Sequence, residues 1–125
     1  MSAVDETARR RKAERGGRRA EWLAALVLML KGFSILARRF RTPAGEIDLV
    51  ARRGRLLVFV EVKARRSADA GVEAVRAGAR RRIERAARLF IARRAHLADC
   101  AMRYDILVVS GFRVHHKPDA WREGE

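Results

Sequence analysis

Two acidic residues and a lysine stand inside strand-like segments that are otherwise apolar. Asp48 lies in the segment GEIDL at 45–49, and Glu61 and Lys63 lie in the segment VFVEVK at 58–63. Burying a charged group costs free energy unless the group is paired or binds a metal ion. Two carboxylates beside an amine can hold a divalent cation and a water molecule near a phosphodiester bond. These three residues are therefore the first candidates for a hydrolytic site.

The residue types suit a hard cation, and we expect Mg²⁺ or Mn²⁺ as the cofactor. Mg²⁺ prefers oxygen ligands, and one or two carboxylates with a substrate phosphate are enough to bind it. Lys63 lies two residues beyond Glu61 on the same strand face, where it could orient or deprotonate a water molecule. An arginine could not be that base, because its guanidinium stays protonated. The same pattern also fits an ordinary ion pair on an exposed strand, with Asp48 in solvent.

The turn between the two segments decides whether the acids can meet. We expect a turn centred on residues 53–54 or a four-residue loop over residues 52–55, and both give a register that pairs Asp48 with Phe59. Asp48 and Glu61 then share one sheet face and lie diagonally, with backbones roughly 7–8 Å apart. A three-residue loop would move Asp48 to the other face unless a bulge corrected it.

The hydrophobic pattern predicts an α/β fold in which a mixed central sheet is flanked by helices, in the order α-β-β-β-α-β-(β). The predicted elements are a helix over 18–31 closed by Gly32, strands over 33–41, 47–51 and 56–63, a loop over 67–71, a second helix from 72, a strand over 104–110, and a short strand ending at 115–116. The third strand is the most apolar, so we expect it at the centre of the sheet.

The chain length of 125 residues suits one domain. We expect a flexible basic tail over 1–16, the domain over 17–121 and a short tail over 122–125. The single cysteine, Cys100, excludes an intrachain disulfide and fits a reducing compartment. The apolar run 22–30 is shorter than the ~18 residues that cross a bilayer. We therefore expect a cytoplasmic protein that does not bind a membrane.

The predicted first helix is apolar on nearly every side, which requires burial on more than the sheet side. A second subunit would supply that burial, so a homodimer through helix 18–31 is one candidate assembly. Glu21 lies at the start of this helix, where an acid can either belong to the site or complement the helix dipole.

The formal net charge of +14 and a pI near 11.6 point to an anionic partner, most plausibly nucleic acid. Like charges crowd the predicted second helix, and a polyanion would relieve their repulsion. The alternative is a merely solvated basic face. The residues expected to contact nucleic acid, with DNA as the first candidate, are Arg76, Arg80, Arg81, Arg85 and Arg88, together with Arg65 and Arg41.

Asp105 in the fourth strand and the histidines of the fifth are the other polar residues of note. We expect Asp105 to pair with an arginine rather than to bind a metal. His115 and His116 lack metal-ligand company in the sequence, so we expect them to contact solvent or phosphate.

Several motifs together resemble the YraN family of small bacterial proteins, which are predicted endonucleases similar in core to archaeal Holliday junction resolvases. The wider resemblance is to the PD-(D/E)xK nuclease superfamily and its restriction-endonuclease-like fold. It covers roughly residues 16–121. The matching motifs are Gly17 to Glu21, Gly32-Phe33, Phe40-Arg41-Thr42-Pro43, Gly45-Glu46-Ile47-Asp48-Leu49, Phe59-Val60-Glu61-Val62-Lys63-Ala64-Arg65 and Arg103-Tyr104-Asp105.

The resemblance implies roles for individual residues. Glu21 is the helical acid, Asp48 and Glu61 are the metal-binding acids, Lys63 is the catalytic lysine, and the carbonyl of Val62 is a further metal ligand. The sequence departs from the family pattern at Val27, Arg39 and Ala79, where an aromatic residue, asparagine, and lysine or glutamine are usual.

The expected function is a Mg²⁺- or Mn²⁺-dependent endonuclease acting on DNA, with branched DNA among the candidate substrates. The first alternative is a protein of nuclease-like fold that binds DNA or RNA without cutting it. The second is a protein-interaction module whose apolar first helix binds a partner protein.

Overall fold

A computed structural model describes the backbone of residues 3–125 and the side chains of residues 17–125. Its centre is a five-stranded mixed sheet in the order β1-β2-β3-β4-β5, in which β3 and β4 are parallel and the other neighbours antiparallel. The strands are β1 (Ser34–Thr42), β2 (Gly45–Arg53), β3 (Leu56–Ala64), β4 (Ala101–Ser110) and β5 (Arg113–Trp121). This confirms the predicted fold class and the central position of the third strand.

The first helix, α1 (Ala3–Leu30), begins earlier than the predicted residue 18 and ends where expected. Gly32 has a φ of +90°, and the Phe33 N–H donates to the carbonyl of Leu28 over 3.0 Å, which closes the helix with a Schellman cap. Residues 1–2 and the side chains of residues 3–16 lie outside the described part, so the predicted flexible tail over 1–16 stays a prediction.

The inner side of α1 packs on one sheet face through Ala24, Ala25 and Leu28, all fully buried. Its outer side exposes large apolar side chains, with Trp22 56% and Leu30 79% exposed. The predicted homodimer through helix 18–31 stays a prediction. Within the described residues, no helix is both long and apolar enough to cross a membrane.

The predicted second helix is two helices, α2 (Ala68–Glu73) and α3 (Ala77–Ala92), followed by a short 3₁₀ turn at Ala95–Leu97. The prediction of a loop over 67–71 was wrong, because the Ser67 side chain accepts a hydrogen bond from the Ala70 N–H and caps α2. The predicted apolar stripe nevertheless faces the core. Its members Val75, Ile83, Ala86 and Phe90 are buried, and Val72 and Ala79 pack against them.

The turn between β2 and β3 differs from both predicted loops. Pairing of Arg53 with Leu56 leaves Gly54 and Arg55 as the central residues of a two-residue turn. The prediction that Asp48 faces Phe59 was therefore wrong, since Val50 pairs with Phe59 instead. The register moved by two positions, and an even shift alone preserves the face of each side chain. Within β2, however, Ile47 and Val50 both pack on the α3 side, so the alternation is interrupted between them.

The fifth strand was also predicted too short. It continues past residues 115–116 to Trp121, because its pairing with β4 resumes at Tyr104 and Trp121 after a register shift. Trp121 stacks on Tyr104 with ring centroids 5.2 Å apart, which fixes the end of the strand in the core.

Candidate metal and phosphodiester site

Strands β2 and β3 separate at the position of the predicted acids. Their pairing ends at Leu49 and Val60, so the same register would bring Asp48 opposite Glu61 one residue further on. The strand pairing lost at this point is replaced by a side chain, because Asp48 Oδ2 accepts a hydrogen bond from the Val62 N–H over 2.8 Å. Asp48 therefore bridges the gap between the strands and is held beside Glu61.

The carboxyl groups of Asp48 and Glu61 interact directly. Burial, a hydrogen bond with Asp48 and the negative charge of Asp48 together raise the pKa of Glu61 from 4.5 to about 9, while the nearby charge of Lys63 acts in the opposite direction. The structure therefore brings Asp48, Glu61 and Lys63 together. Without a cation, Glu61 holds a proton at neutral pH.

Arg39 is a member of the site that sequence analysis treated only as a departure from the family. Its Nε donates to Glu21 Oε2 over 2.8 Å, and its pKa is raised by that hydrogen bond and by the charges of Glu21, Glu46 and Asp48. Arg39 also has a φ of +52°, an uncommon backbone conformation for a residue with a side chain. Glu21 is thus connected to the site by its ion pair with Arg39.

Gly45 positions the start of β2 against α3. A Cβ atom at this residue would lie 2.9 Å from Cβ of Arg82 and 3.0 Å from its carbonyl oxygen. Only glycine fits this contact without a shift of one element. The glycine of the GEID segment therefore fixes the distance between α3 and the strand that carries Asp48.

The predicted nucleic-acid contacts fall into two groups. Arg65, Arg76, Arg81 and Arg85 are exposed, as is Arg41, which lies 3.5 Å from Glu46. Two others contact residues of the C-terminal segment. Arg80 donates to the Val75 carbonyl and covers the Trp121 ring, and Arg88 forms an ion pair with Glu123.

Asp105 lies in a separate polar cluster on the sheet face that packs against α1. Arg103 donates two hydrogen bonds of 2.8 Å to its carboxylate, and the Asp119 N–H donates a third of 3.0 Å. His116 Nε2 lies 2.7 Å from the same carboxylate, and Lys31 Nζ lies 2.7 Å from His116 Nδ1. The arginine pairing predicted for Asp105 is confirmed, but the expectation that His116 contacts solvent or phosphate was wrong.

The pKa of Asp105 responds to these partners. Burial alone would raise it, but the hydrogen bonds from His116 and Arg103 outweigh burial and leave the pKa below its ordinary value of 3.8. Asp105 is fully buried and fully bonded, so its role in this fold is structural.

The donor set of Asp48 and Glu61 fits a hard divalent cation. Among the residues that the structure describes, no three His, Cys, Asp or Glu side chains form a metal-binding cluster. Mg²⁺ needs only one or two carboxylates when water and phosphate complete its octahedron. The fit therefore rests on two adjacent carboxyl groups, one of which carries a proton that a cation would displace.

Comparisons with known proteins agree with the motifs. The family model described as "Uncharacterised protein family UPF0102" matches residues 20–109. A UPF0102 protein of Rhizobium etli is 54% identical over 122 residues, which cover 97% of this chain and 100% of the relative. A UPF0102 protein of Paramagnetospirillum magneticum is 47% identical over 127 residues, covering 98% of each chain. One from Parvibaculum lavamentivorans is 52% identical over 111 residues, which cover 88% and 84%.

Proposed function

This chain belongs to the UPF0102 family, the YraN family that its motifs resemble, and we propose that it is a divalent-metal-dependent endonuclease that hydrolyses phosphodiester bonds in DNA. The single observation that carries the proposal is the adjacency of Asp48 and Glu61 where β2 and β3 separate. Two carboxyl groups forced together in a partly buried gap gain a favourable partner when a cation enters between them.

Asp48 and Glu61 would hold Mg²⁺ or Mn²⁺, with the Val62 carbonyl as a further oxygen ligand. In an extended strand the N–H and C=O of one residue point to the same side. Because the Val62 N–H points to Asp48, its carbonyl faces the same gap. A bound divalent ion would polarise the phosphodiester and lower the pKa of a water molecule.

Lys63 supplies the remaining group of the proposed site. Lys63 lies two residues beyond Glu61 on β3, and its charge acts on Glu61, which supports a position of the ammonium near the carboxyl pair. In this position Lys63 orients the attacking water or stabilises the negative charge that develops on the phosphate. Glu61 must lose its proton for the site to work, so activity rises with pH and with metal concentration.

The basic surface supports a polyanionic substrate. The exposed side chains of Arg41 and Arg65 belong to β1 and to the segment just after β3, the strands that flank or carry the site. The net charge of +14 favours binding to a phosphate backbone over most other ligands. Contacts with the phosphate backbone carry no sequence information. The substrates to compare therefore differ in shape, and they are duplex, flap and four-way DNA.

Cleavage of labelled DNA in Mg²⁺ or Mn²⁺ tests the proposal. We expect Glu61→Gln to lower the cleavage rate by at least about 100-fold, the scale of a lost catalytic group. The matched control is Glu125→Gln, the same change at an exposed position in the C-terminal segment, which we expect to cleave like the wild type. Equal cleavage by the Glu61→Gln protein would contradict the proposed site.

The second candidate function, binding of nucleic acid without cleavage, draws on the Arg-rich surface alone. Both functions predict salt-sensitive binding, with log affinity on duplex DNA falling by about 0.9 per displaced counterion per decade of salt. The response of the protein to a metal ion distinguishes the two functions. Calorimetric Mn²⁺ binding that disappears in Asp48→Asn supports the nuclease, whereas tight DNA binding without any response to Mn²⁺ supports the alternative.

A further inference from the structure

The guanidinium of Arg39 is a positively charged group of the protein itself at the edge of the site. Its guanidinium contacts Glu21 at 2.8 Å and interacts electrostatically with Glu46 and Asp48. Its side chain is 33% exposed and that of Glu21 is 19% exposed, so both ends of the pair lie partly inside the protein. Arg38 pairs with Leu49 and Phe40 with Ile47, so the register puts Arg39 opposite Asp48, and the ion pair joins α1 to β1 beside this acid of β2.

The backbone conformation at Arg39 is uncommon for a residue with a side chain. The φ of +52° places the residue in the left-handed region, where only glycine, asparagine and aspartate are common. Residues kept in such conformations cluster at functional sites, where the surrounding structure compensates for the strain. Here the contact that accompanies the strain is the ion pair with Glu21.

The charges around the gap leave room for one divalent ion beside Arg39. The acids are Glu21, Glu46, Asp48 and Glu61, and the cations among them are Arg39, Arg41 and Lys63. Glu21 pairs with Arg39 and Glu46 with Arg41, so the carboxyl groups of Asp48 and Glu61 remain to hold one divalent ion. A second ion at Glu21 would have to displace the guanidinium, whose charge repels it and whose hydrogen bond occupies the Glu21 carboxylate.

We infer that Arg39 takes the place of a second metal ion and that Glu21 holds Arg39 instead of a cation. The inference rests on the proposed function, since it presumes that Asp48 and Glu61 bind a metal ion. It corrects the role that the resemblance implied for Glu21, which here positions an arginine. The site then binds a single divalent ion, and Arg39 faces the incoming phosphate from the side of α1.

Calorimetric titration of the full chain with Mn²⁺, at low salt and without DNA, tests the inference. The wild type is expected to bind about one Mn²⁺ per chain. Arg39→Asn removes the cation while tolerating a positive φ, so we expect about two Mn²⁺ per chain. The double variant Arg39→Asn with Glu21→Gln is expected to return to about one, and Arg39→Lys, which keeps a cation, also to about one.

Glu21→Gln alone gives a test that does not depend on how well the Arg39 variants fold. Since Glu21 positions Arg39 and is not itself a metal ligand, the variant is expected still to bind about one Mn²⁺ per chain, with an affinity lowered by no more than about 100-fold. Loss of binding in Glu21→Gln, or a folded Arg39→Asn that still binds about one Mn²⁺, overturns the inference. Two ions in the wild type overturn it while leaving the proposed function intact, and no Mn²⁺ binding at all contradicts the proposed function itself.

Discussion

The sheet carries one buried and one partly buried acidic centre, and the two differ in how their charge is neutralised. On the face that packs against α1, Asp105 receives hydrogen bonds from Arg103, His116 and the Asp119 N–H, and its pKa is lowered. In the gap between β2 and β3, Asp48 and Glu61 face each other, and the pKa of Glu61 is raised. The first centre is complete within the chain, whereas at the second the two carboxyl groups lie against each other and Lys63 only partly offsets their charge.

The way in which a carboxylate is neutralised distinguishes a structural acid from an acid of a reactive site more clearly than burial or residue type does. A carboxylate whose partners all come from the chain fixes the fold, and nothing else needs to bind. A pair of carboxyl groups that repel each other is stable only with a shared proton or a cation. The second arrangement is typical of sites where a metal ion and a substrate complete the structure.

The largest expected effect is at the complete centre. Asp105→Asn leaves Arg103 beside a neutral group, and breaking a buried ion pair by removing one partner costs about 3–5 kcal/mol of unfolding free energy. Urea denaturation followed by circular dichroism measures it. Asp99→Asn, at an exposed position, is the control and is expected to change stability by less than about 0.5 kcal/mol. A similar small change for Asp105→Asn would mean that the network contributes little.

An intermediate effect is expected where α3 meets the strand that carries Asp48. Gly45→Ala places a methyl group against the Arg82 backbone, and overpacking of this kind costs about 1–3 kcal/mol. The same substitution at Gly78, in the first turn of α3, meets only the end of the Arg82 side chain at 3.8 Å. That control is expected to be neutral or stabilising, since alanine favours a helix over glycine. Thermal unfolding of both variants decides the comparison, and equal melting temperatures would contradict the close contact.

The smallest effect on stability at acid pH, and one that grows with the opposite sign as the pH rises, is expected at the incomplete centre. The folded chain holds the Glu61 proton more tightly than the unfolded chain, because its pKa rises from 4.5 to about 9. This contribution is complete below pH 4.5 and is lost as the pH rises toward 9. Glu61→Gln, which resembles the protonated acid, should therefore flatten the decline of stability over this range and match the stability of the wild type within about 0.5 kcal/mol near or below pH 4.5.

Denaturation of the metal-free protein at a series of pH values measures this term. Asp105 provides the internal comparison, because a lowered pKa gives stability above 3.8 that is lost as the pH falls. A pH profile of the Glu61→Gln protein that is as steep as that of the wild type between pH 5 and 9 would show that Glu61 is not the group with the raised pKa.

The sequence predicted most of the fold. It identified the acids Asp48, Glu61 and Asp105, but not the roles of Arg39 and His116 beside them. The prediction that alternation puts Asp48 and Glu61 on one sheet face stays a prediction, because Ile47 and Val50 both pack on the α3 side and the alternation of β2 is interrupted between them. The two acids meet where β2 and β3 separate. The break between α2 and α3 was missed, since the apolar stripe runs through both helices without interruption. His116 was missed because its partner Asp105 comes from a neighbouring strand, and only the pairing of β4 with β5 brings them together.

Arg39 shows why the remaining part of the site could not be predicted from the sequence. Its sequence neighbourhood is a run of basic residues, which resembles any solvated strand. Its role depends on a left-handed backbone and on a contact with Glu21, 18 residues earlier in the chain. Neither the conformation nor the distance between α1 and β1 can be inferred from residue types.

Crystals soaked in Mn²⁺ and measured for anomalous scattering test the central claim most directly. The account predicts an anomalous peak between the carboxylates of Asp48 and Glu61, within ligand distance of both and of the Val62 carbonyl. The Asp105 cluster should remain without a peak, because its charge is already matched. Saturating Mn²⁺ that leaves the gap between β2 and β3 empty, with the carboxyl groups unchanged, would contradict the claim that these two acids form a metal site.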